Sequence, residues 1–389
     1  MSSRDNFIAA LKQLGMKQSS SELESHISEN LISPYVIELP TLIKEQAKEL
    51  IAGLYDLRSS PDYLKFYAEE LKQKNLIDPG NKAIAMSYDV HWDQQTQKIK
   101  LIEVNTNAAF LFLSEALYMA AGLSQPIKGF HIKNLIQCCE NEILLSKEKK
   151  SRTLNSTRRI AVIDENPEQQ KLFIEFLFTQ HFLQFHGWDC EILDFRKIDL
   201  KKFDLVYNRF TDFYFNSPES QDLRSAFLNG TTTFSPNPFE YFLLADKQRM
   251  IDWHQPQFMN FSEEFKKYQK VISDYVPRAD LFSTIDLDTL WSERKKYFFK
   301  PKSSFGSKLS YKGASISRKF FDGLPREEMI RQEFIPAPEV TFTEGQTFKY
   351  DLRLYAYQGE LQSVIARIYQ GQVTNLQTKN GGFACVKWI

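Results

Sequence analysis

The chain lacks net charge: 49 lysines and arginines are matched by 49 aspartates and glutamates. That balance removes the overall basic field with which a nucleic-acid binder holds phosphates, so any attraction for anions has to be local. Long apolar runs are missing too. No stretch reaches the roughly eighteen apolar residues of a membrane span, and the opening MSSRDNFIAALKQLGMKQ has no apolar segment before a small-residue cleavage site. The expectation is a cytoplasmic protein with neither a membrane nor a nucleic-acid partner. Cysteine is scarce: Cys138, Cys139, Cys190 and Cys385 contain no CxxC, and the six histidines form no HExxH. Reduced core thiols fit this usage better than structural zinc. Internal repeats and low-complexity tracts are also absent.

What is present is a chain of 389 residues, longer than one hydrophobic core usually supports, so lobes with a cleft between them are expected. Residues 1 to about 80 (FIAALKQLG, LIKEQAKELIAGLYDL, YLKFYAEELKQ) have helical apolar spacing interrupted by prolines, and predict a helical entry region over 1–82. AIAMSYDVHW and KIKLIEVN predict two strands joined by a polar turn, and AFLFLSEALYMAAGL a buried helix. SKEKKSRTLNSTRR, residues 146 to 159, has the composition of a solvated linker. Beyond it RIAVIDEN, a helix closed by Gly187, DCEILDF and FDLVYNRF predict a small parallel α/β lobe. SPNPFEYFLLADKQRMIDW predicts a helix carrying Lys247. YFFKPKSSFGSKLSYKG reads as two strands around a loop, and MIRQEFIPAPEV, KYDLRLYAYQGELQSVIARIYQGQVTN and GGFACV as an antiparallel meander.

Between Lys295 and Lys312 stand six lysines and no acidic residue, with Ser303, Ser304, Gly306 and Ser307 at the centre. Small residues let backbone N–H groups approach phosphate oxygens, and Lys300 at the end of the preceding strand adds a point charge. The loop is not GxxxxGK[ST], so the P-loop mechanism does not apply; a solvated basic hairpin is the other reading. Upstream, Glu103 and Asn105 share one strand face and Asp89 reaches it from the neighbouring strand. Two carboxylates and an amide suit Mg²⁺, which keeps waters and takes further ligands from phosphates; an ordinary polar sheet face is the alternative.

Taken in order, Lys247 in LLADKQRM, Lys300 in FFKPKSSFGSK, the segment RQEFIP (Gln332, Glu333, Phe334, Ile335) and DLRLYAYQGELQSVIARIYQGQVTNLQTKNGG resemble the lysines, lid, adenine hinge and arginine-bearing meander of ATP-grasp ligases. In that family the D…ExN metal motif follows the meander. Here Asp89, Glu103 and Asn105 precede everything else, so the chain resembles a circularly permuted ATP-grasp fold. The DLR and TNLQTKNGG segments are similar to those of glutamate ligases that extend peptide tails. SYDV…LIEVNTNAAF and YNRFTDFY…SPNPFEYFLLADKQRM are similar to segments of the permuted eukaryotic glutathione synthetases. The resemblance covers residues 83 to 389 and implies an α/β protein of five parts: the helical region 1–82, a metal-bearing piece of the C-lobe at 83–150, a Rossmann-like pre-ATP-grasp lobe at 155–246, a lid lobe at 247–330, and the meander at 331–389.

The same resemblance implies an ADP-forming ligase that activates a small-molecule or peptide carboxylate as an acyl phosphate and passes it to an amine. ATP would bind with Lys247, Lys300, Ser304, Gly306 and Ser307 on its phosphates and with Gln332, Glu333, Phe334 and Ile335 along its adenosine. Asp89, Glu103 and Asn105 would hold one or two Mg²⁺ ions, with Mn²⁺ as a substitute. Arg353, Arg367 and Asn375 would stabilise the transferred phosphoryl group. Asp351 stays open between a ribose contact and a salt-bridge partner of Arg353, and Tyr88, Asn107 and Arg209 are candidates facing the acceptor. The synthetases it resembles are homodimers. Two departures stand out. The lid segment SSFGSKLSYKG carries no acidic ligand, which is why Asp89 is assigned as the third, and the glutathione-precursor segments are not recognisable. A phosphotransferase acting on a hydroxyl and a non-catalytic nucleotide-binding protein are the alternative functions.

Overall fold

The computed structural model describes residues 2–149, 156–302, 310–342 and 345–389. The chain opens with two short helices, Ser3–Gln13 and Ser20–His26, each started by a serine capping box. It then departs from the expected helical region. ISPYVIEL forms a strand, β1 (Ile32–Leu39), parallel to the last strand of the chain. Its Pro34 is tolerated because β1 lies at a sheet edge, where a missing N–H breaks no ladder. The helix Thr41–Ser59 follows and buries Ile43, Ala47, Leu50, Ile51, Leu54 and Leu57, a helical stripe packed on the sheet. Each of the isoleucines and leucines contributes about 1.5–3 kcal/mol of burial.

The strands β2 (Met86–Asp93) and β3 (Lys98–Asn105) form the expected hairpin. Only Ser114–Ala120 of the predicted buried helix is helical, and a helix that the sequence reading missed, Asn134–Lys149, takes up the start of the supposed linker. The rest of that linker falls largely outside the described residues. Next come β4 (Arg159–Asp164), β5 (Asp189–Asp194), β6 (Leu205–Asn208) and β7 (Thr233–Ser235), which form an all-parallel sheet in the order β5-β4-β6-β7. The helix Phe173–Phe185 crosses from β4 to β5.

A third sheet contains β8 (Ala279–Leu281), β9 (Tyr297–Pro301), β10 (Tyr311–Lys312) and β11 (Met329–Glu333), antiparallel in the order β10-β9-β11-β8. MIRQE therefore does not begin the meander. It pairs with β8 and β9 along its whole length, so the boundary expected after residue 330 cuts through a strand. The meander proper is β12 (Glu339–Thr341), β13 (Thr347–Tyr357), β14 (Glu360–Tyr369) and β15 (Gly382–Trp388). Together with the early strands it makes one seven-stranded sheet, β1-β15-β14-β13-β2-β3, with β12 on β13.

That sheet has two differently used faces. Tyr88, Leu352, Leu354, Ala366 and Ile368 point into the core under the helix Thr41–Ser59. On the opposite face Tyr355, Tyr357, Ile365 and Phe383 pack beneath the first helix and Ser114–Ala120. The remainder of this second face carries charged residues and looks toward the β8–β11 sheet. All four cysteines are buried and unpaired, and no helix among the described residues is long and apolar enough to cross a membrane.

Candidate functional site

Strand alternation places Asp89, Arg353, Asp351 and Arg367 on the open face, and the ladders set them opposite one another. Asp89 faces Glu103 on one side and Arg353 on the other, while Asp351 faces Arg367. The result is a continuous charge network. Arg353 reaches Asp89 through Nε (2.9 Å) and Nη2 (2.7 Å), and Arg367 Nη2 adds a bond to Asp89 Oδ2 at 2.9 Å. Arg367 also grips Asp351 through Nε (2.8 Å) and Nη2 (2.9 Å), and the Thr374 hydroxyl completes Asp351 at 2.7 Å. Burial raises the Asp89 carboxyl pKa, but the charges of Arg353 and Arg367 outweigh it and bring the value down to about 2. The arginines gain in return. Burial works against each charge, yet Asp351 and Asp89 leave Arg367 more firmly protonated than a free guanidinium, and Asp89 does the same for Arg353.

This network corrects three expected roles. Asp89 is not an open cation ligand, because its oxygens already accept from Ser87, Asn105 and both arginines. Asp351 pairs with Arg367 rather than Arg353. Asn375 lines the cleft, but both ends of its amide are spent on its own loop. Its Nδ2 donates to Gln370 O at 2.9 Å, and its Oδ1 accepts from the Gln377 and Thr378 N–H groups at 3.0 and 3.1 Å.

Glu103 and Asn105 are half-buried on the same face, with Asn105 Nδ2 lying 3.2 Å from Asp89 and 3.4 Å from Glu103. Between them and the rest of β3 lies a bulge. Glu103 pairs with Asp89 and Leu101 with Val90, so Ile102 is an extra residue whose carbonyl is turned out of the ladder. Lys300 Nζ donates to that carbonyl at 3.0 Å and Gln332 Nε2 at 3.4 Å. The β9–β11 sheet is thereby tied to the strand bearing Glu103. Burial lowers the Lys300 pKa to about 8 against the pull of Glu103, with Lys247 pushing it the same way as burial. Lys247 is not on a helix surface: a π-helical turn, Tyr241–Ala245, breaks the expected helix, and Lys247 follows the break, half-buried. Burial lowers its pKa while Glu103 and Asp246 raise it.

Lys300, Lys247 and Glu103 border one cleft of about 740 Å³ between the seven-stranded sheet and the β8–β11 sheet, with Asp89, Asn105, Arg353 and Arg367 on its floor. Gln332, Glu333, Phe334 and Ile335 form one wall. The Glu333 and Phe334 N–H groups are committed to Arg278 O and Lys296 O, so that wall presents side chains and its remaining backbone groups. Ser304, Gly306 and Ser307 lie outside the described residues. Of the acceptor candidates, Tyr88 faces the core and Arg209 turns its Nη1 to the Asn107 and Ala108 carbonyls. Asn107 donates back to Arg209 O at 3.3 Å.

Sequence reasoning missed His91, two positions past Asp89 on the same strand face, where alternation alone could have found it. Its Nδ1 lies 2.9 Å from Ile335 O. A carbonyl can only accept, so Nδ1 carries the hydrogen and Nε2 is left as an acceptor in the neutral ring. Burial holds the His91 pKa below its usual value. Thr374, which bonds Asp351, carries no local sequence signal.

The donor set fits a nucleotide with its cation in part. One carboxylate, Glu103, and the Asn105 amide oxygen face a cleft that also holds the buried Lys300 and the half-buried Lys247. Mg²⁺ needs only one or two carboxylates when phosphates and waters supply the rest. Among the described residues no group of three or more His, Cys, Asp or Glu could hold a metal ion by itself.

No protein-family model matches the chain, and neither does any curated protein. Among solved structures, a glutathione synthetase-like effector from Globodera pallida in its apo form matches with a TM-score of 0.57 at 13% identity, over 92% of this chain and 90% of that one. A candidate gamma-glutamylcysteine synthetase from Methylobacillus flagellatus matches with a TM-score of 0.44 at 11% identity, over 86% and 84%. At such identities the first likeness is one of fold: the chain has a glutathione synthetase-like fold of the ATP-grasp type.

Proposed function

We propose that the protein is an ATP- and Mg²⁺-dependent carboxylate–amine ligase built on a circularly permuted ATP-grasp fold. The observation that carries this reading is the meeting of Lys300, Lys247 and Glu103 in one cleft. Lys300 and Glu103 come from different sheets and are joined through the Ile102 bulge, and each lysine senses the Glu103 charge. In this reading residues 83–150 are the displaced metal-bearing piece of the C-lobe, 155–246 the pre-ATP-grasp lobe, and the β8–β11 sheet the lid. The β12–β15 meander closes the fold.

Lys247 and Lys300 would neutralise the nucleotide phosphates, to which the sequence resemblance also assigns Ser304, Gly306 and Ser307. Glu103 and Asn105 would hold the cation, which would supply charge neutralisation at the phosphates. Gln332, Glu333, Phe334 and Ile335 would flank the adenosine. Arg353 and Arg367, held in place by Asp89 and Asp351, would present their free donors to the transferred phosphoryl group. Preorganised guanidinium groups in a water-poor cleft stabilise developing charge without reorganising as the reaction proceeds. A carboxylate oxygen is a poor leaving group, so phosphorylation to an acyl phosphate precedes displacement by an amine.

The test is calorimetric binding of ATP with Mg²⁺ to the parent protein, Glu103→Ala and Lys300→Ala. The reading expects Mg²⁺-dependent binding by the parent and its loss in both variants. Equal Mg²⁺-dependent binding by parent and Glu103→Ala would remove the displaced motif from the site and end the permuted reading.

A further inference from the structure

Beyond the two arginines the cleft changes character. Phe383, the ladder partner of Arg367, borders it while stacked on Phe110 with ring centroids 3.8 Å apart. Ala109, the residue before Phe110, borders it too, and its carbonyl lies 3.5 Å from Arg353 Nη1. Leu172 and Leu376 complete this end: both are half-buried, both line the cleft, and both pack on the buried cluster that contains Phe110 and Phe383. Four apolar side chains thus meet beside two guanidinium groups. The rest of the charged lining is committed elsewhere. Asp89 and Asp351 are spent on the arginines, Glu333 and Glu339 stand on or just past the adenosine wall, Lys312 lies over the Phe334 ring, and Lys349 donates to Gly371 O. Behind the apolar end the buried Arg209 and Glu175 approach each other at 3.9 Å, and neither borders the cleft.

A molecule in this end is specified by what it cannot carry. A second carboxylate would meet no free cation there and an ammonium group no free acid, so each would lose its water uncompensated, whereas hydrocarbon gains by leaving water. Ligand sites combine such an apolar lining with a few convergent polar groups. Here the polar groups are the arginines: Arg367 spends Nε and Nη2 on Asp351 and Asp89, and its Nη1 makes no hydrogen bond among the described residues. Resting on the ligase reading, we infer that the carboxylate substrate is an aliphatic monocarboxylate. Its carboxylate meets Arg353 and Arg367, and its hydrocarbon part lies on Ala109, Leu172, Leu376 and Phe383. The same arginines serve the transferred phosphoryl group in that reading, so one anchor orients both reacting groups. Amino acids and dicarboxylates are excluded from this end by their second charge.

The measurement is calorimetric titration of the full chain, first with a non-hydrolysable ATP analogue and Mg²⁺, then, with both saturating, with acetate, butanoate and hexanoate. Affinity is expected to rise about twofold to fourfold per added methylene. Adipate and aminohexanoate, which end in a second charge, should bind at least about tenfold more weakly than hexanoate, and so should hexanol, which lacks the anchor. Leu172→Asn and Leu376→Asn should each reduce the hexanoate-to-acetate ratio by about threefold or more. Leu172 caps the helix Phe173–Phe185, a position that favours asparagine, and Leu376 lies in the loop before β15, so neither change strikes a helix or strand interior. A ratio taken within one protein is also insensitive to a general loss of affinity. Equal binding of acetate and hexanoate, or no carboxylate binding at all, overturns the inference, as does adipate, aminohexanoate or hexanol binding as well as hexanoate. A ratio unchanged in both leucine variants overturns it by placing the hydrocarbon elsewhere. These outcomes leave the nucleotide site standing, whereas failure of the analogue and Mg²⁺ to bind ends the ligase reading and the inference with it.

Discussion

Arg353 faces Asp89 across the β13–β2 ladder and meets it with two hydrogen bonds of 2.9 and 2.7 Å, both groups almost wholly buried. A buried pair of this kind gives little net stability over an apolar pair of equal volume, but breaking it strands a charge. Asp89→Ala leaves Arg353 without its counter-charge and takes one of two carboxylates from Arg367. The expected loss is about 3–5 kcal/mol of unfolding free energy, read from urea midpoints. A loss below about 1 kcal/mol would mean that the network opens to water at little cost.

The same carboxylate sets an acid limit. Its pKa is lowered from 3.8 to about 2 in the folded protein, because Arg353 and Arg367 overcome the effect of burial. A depressed carboxylate contributes stability that is fully present above the unfolded pKa and is lost as pH falls through the folded one. Stability should therefore decline between about pH 4 and pH 2, and the decline should be shallower in Asp89→Asn, which cannot titrate there. Equal slopes for the two proteins in acid urea titrations would show that other groups dominate.

Lys300 gives the opposite sign. Burial lowers its pKa from 10.5 to about 8, so the empty protein loses this charge at a pH where a free lysine keeps it. Between about 8 and 10 the unfolded chain binds the proton and the folded one does not, and the contribution of Lys300 to stability rises with pH in that window. Nucleotide binding moves the other way, since phosphate favours the charged lysine. On the proposed function, Mg²⁺·ATP affinity should fall by up to about tenfold per pH unit above pH 8, with proton uptake visible as a buffer-dependent heat. Lys300→Arg should flatten that dependence. A parent affinity unchanged from pH 7 to 9 would show that Lys300 does not touch the phosphates.

Much of the site was legible in the sequence because strand alternation is a short-range rule. Spacing alone puts Glu103 with Asn105 on one face, and the hairpin brings Asp89 to it. Pairing partners were not legible. Whether Asp351 meets Arg353 or Arg367 depends on the register between β13 and β14, and local pattern carries no signal for that. The Ile102 bulge is likewise a one-residue irregularity visible only once Leu101 and Glu103 have found partners. The π-helical turn before Lys247 escaped because its apolar spacing, YFLLA, resembles that of an ordinary helix. β1 was missed because Pro34 and two flanking helices concealed a strand whose partner, β15, closes the chain.

That long-range join makes Gly382 the most exacting position of the large sheet. It begins β15 with φ of +92°, a conformation that favours glycine, and a Cβ added there would stand 2.2 Å from Asn30 O and 2.4 Å from Leu31 O. Both are backbone atoms of the turn that starts β1, so no side chain can rotate aside. The next residue, Phe383, donates its N–H to Leu31 O at 2.8 Å and stacks on Phe110 with ring centroids 3.8 Å apart. It also pairs with Arg367 across β14. Gly382→Ala must therefore either strain φ, at about 1–3 kcal/mol, or lift β1 off the sheet edge and move Phe383 beside Arg367. The expected result is a loss of about 3 kcal/mol or more in urea unfolding, with hydrogen exchange accelerated first in residues 32–39. A variant that unfolds with the parent, β1 still protected, would mean that β1 and β15 have slack enough to admit a methyl group, and the placement of Phe383 at the cleft would then owe nothing to this glycine.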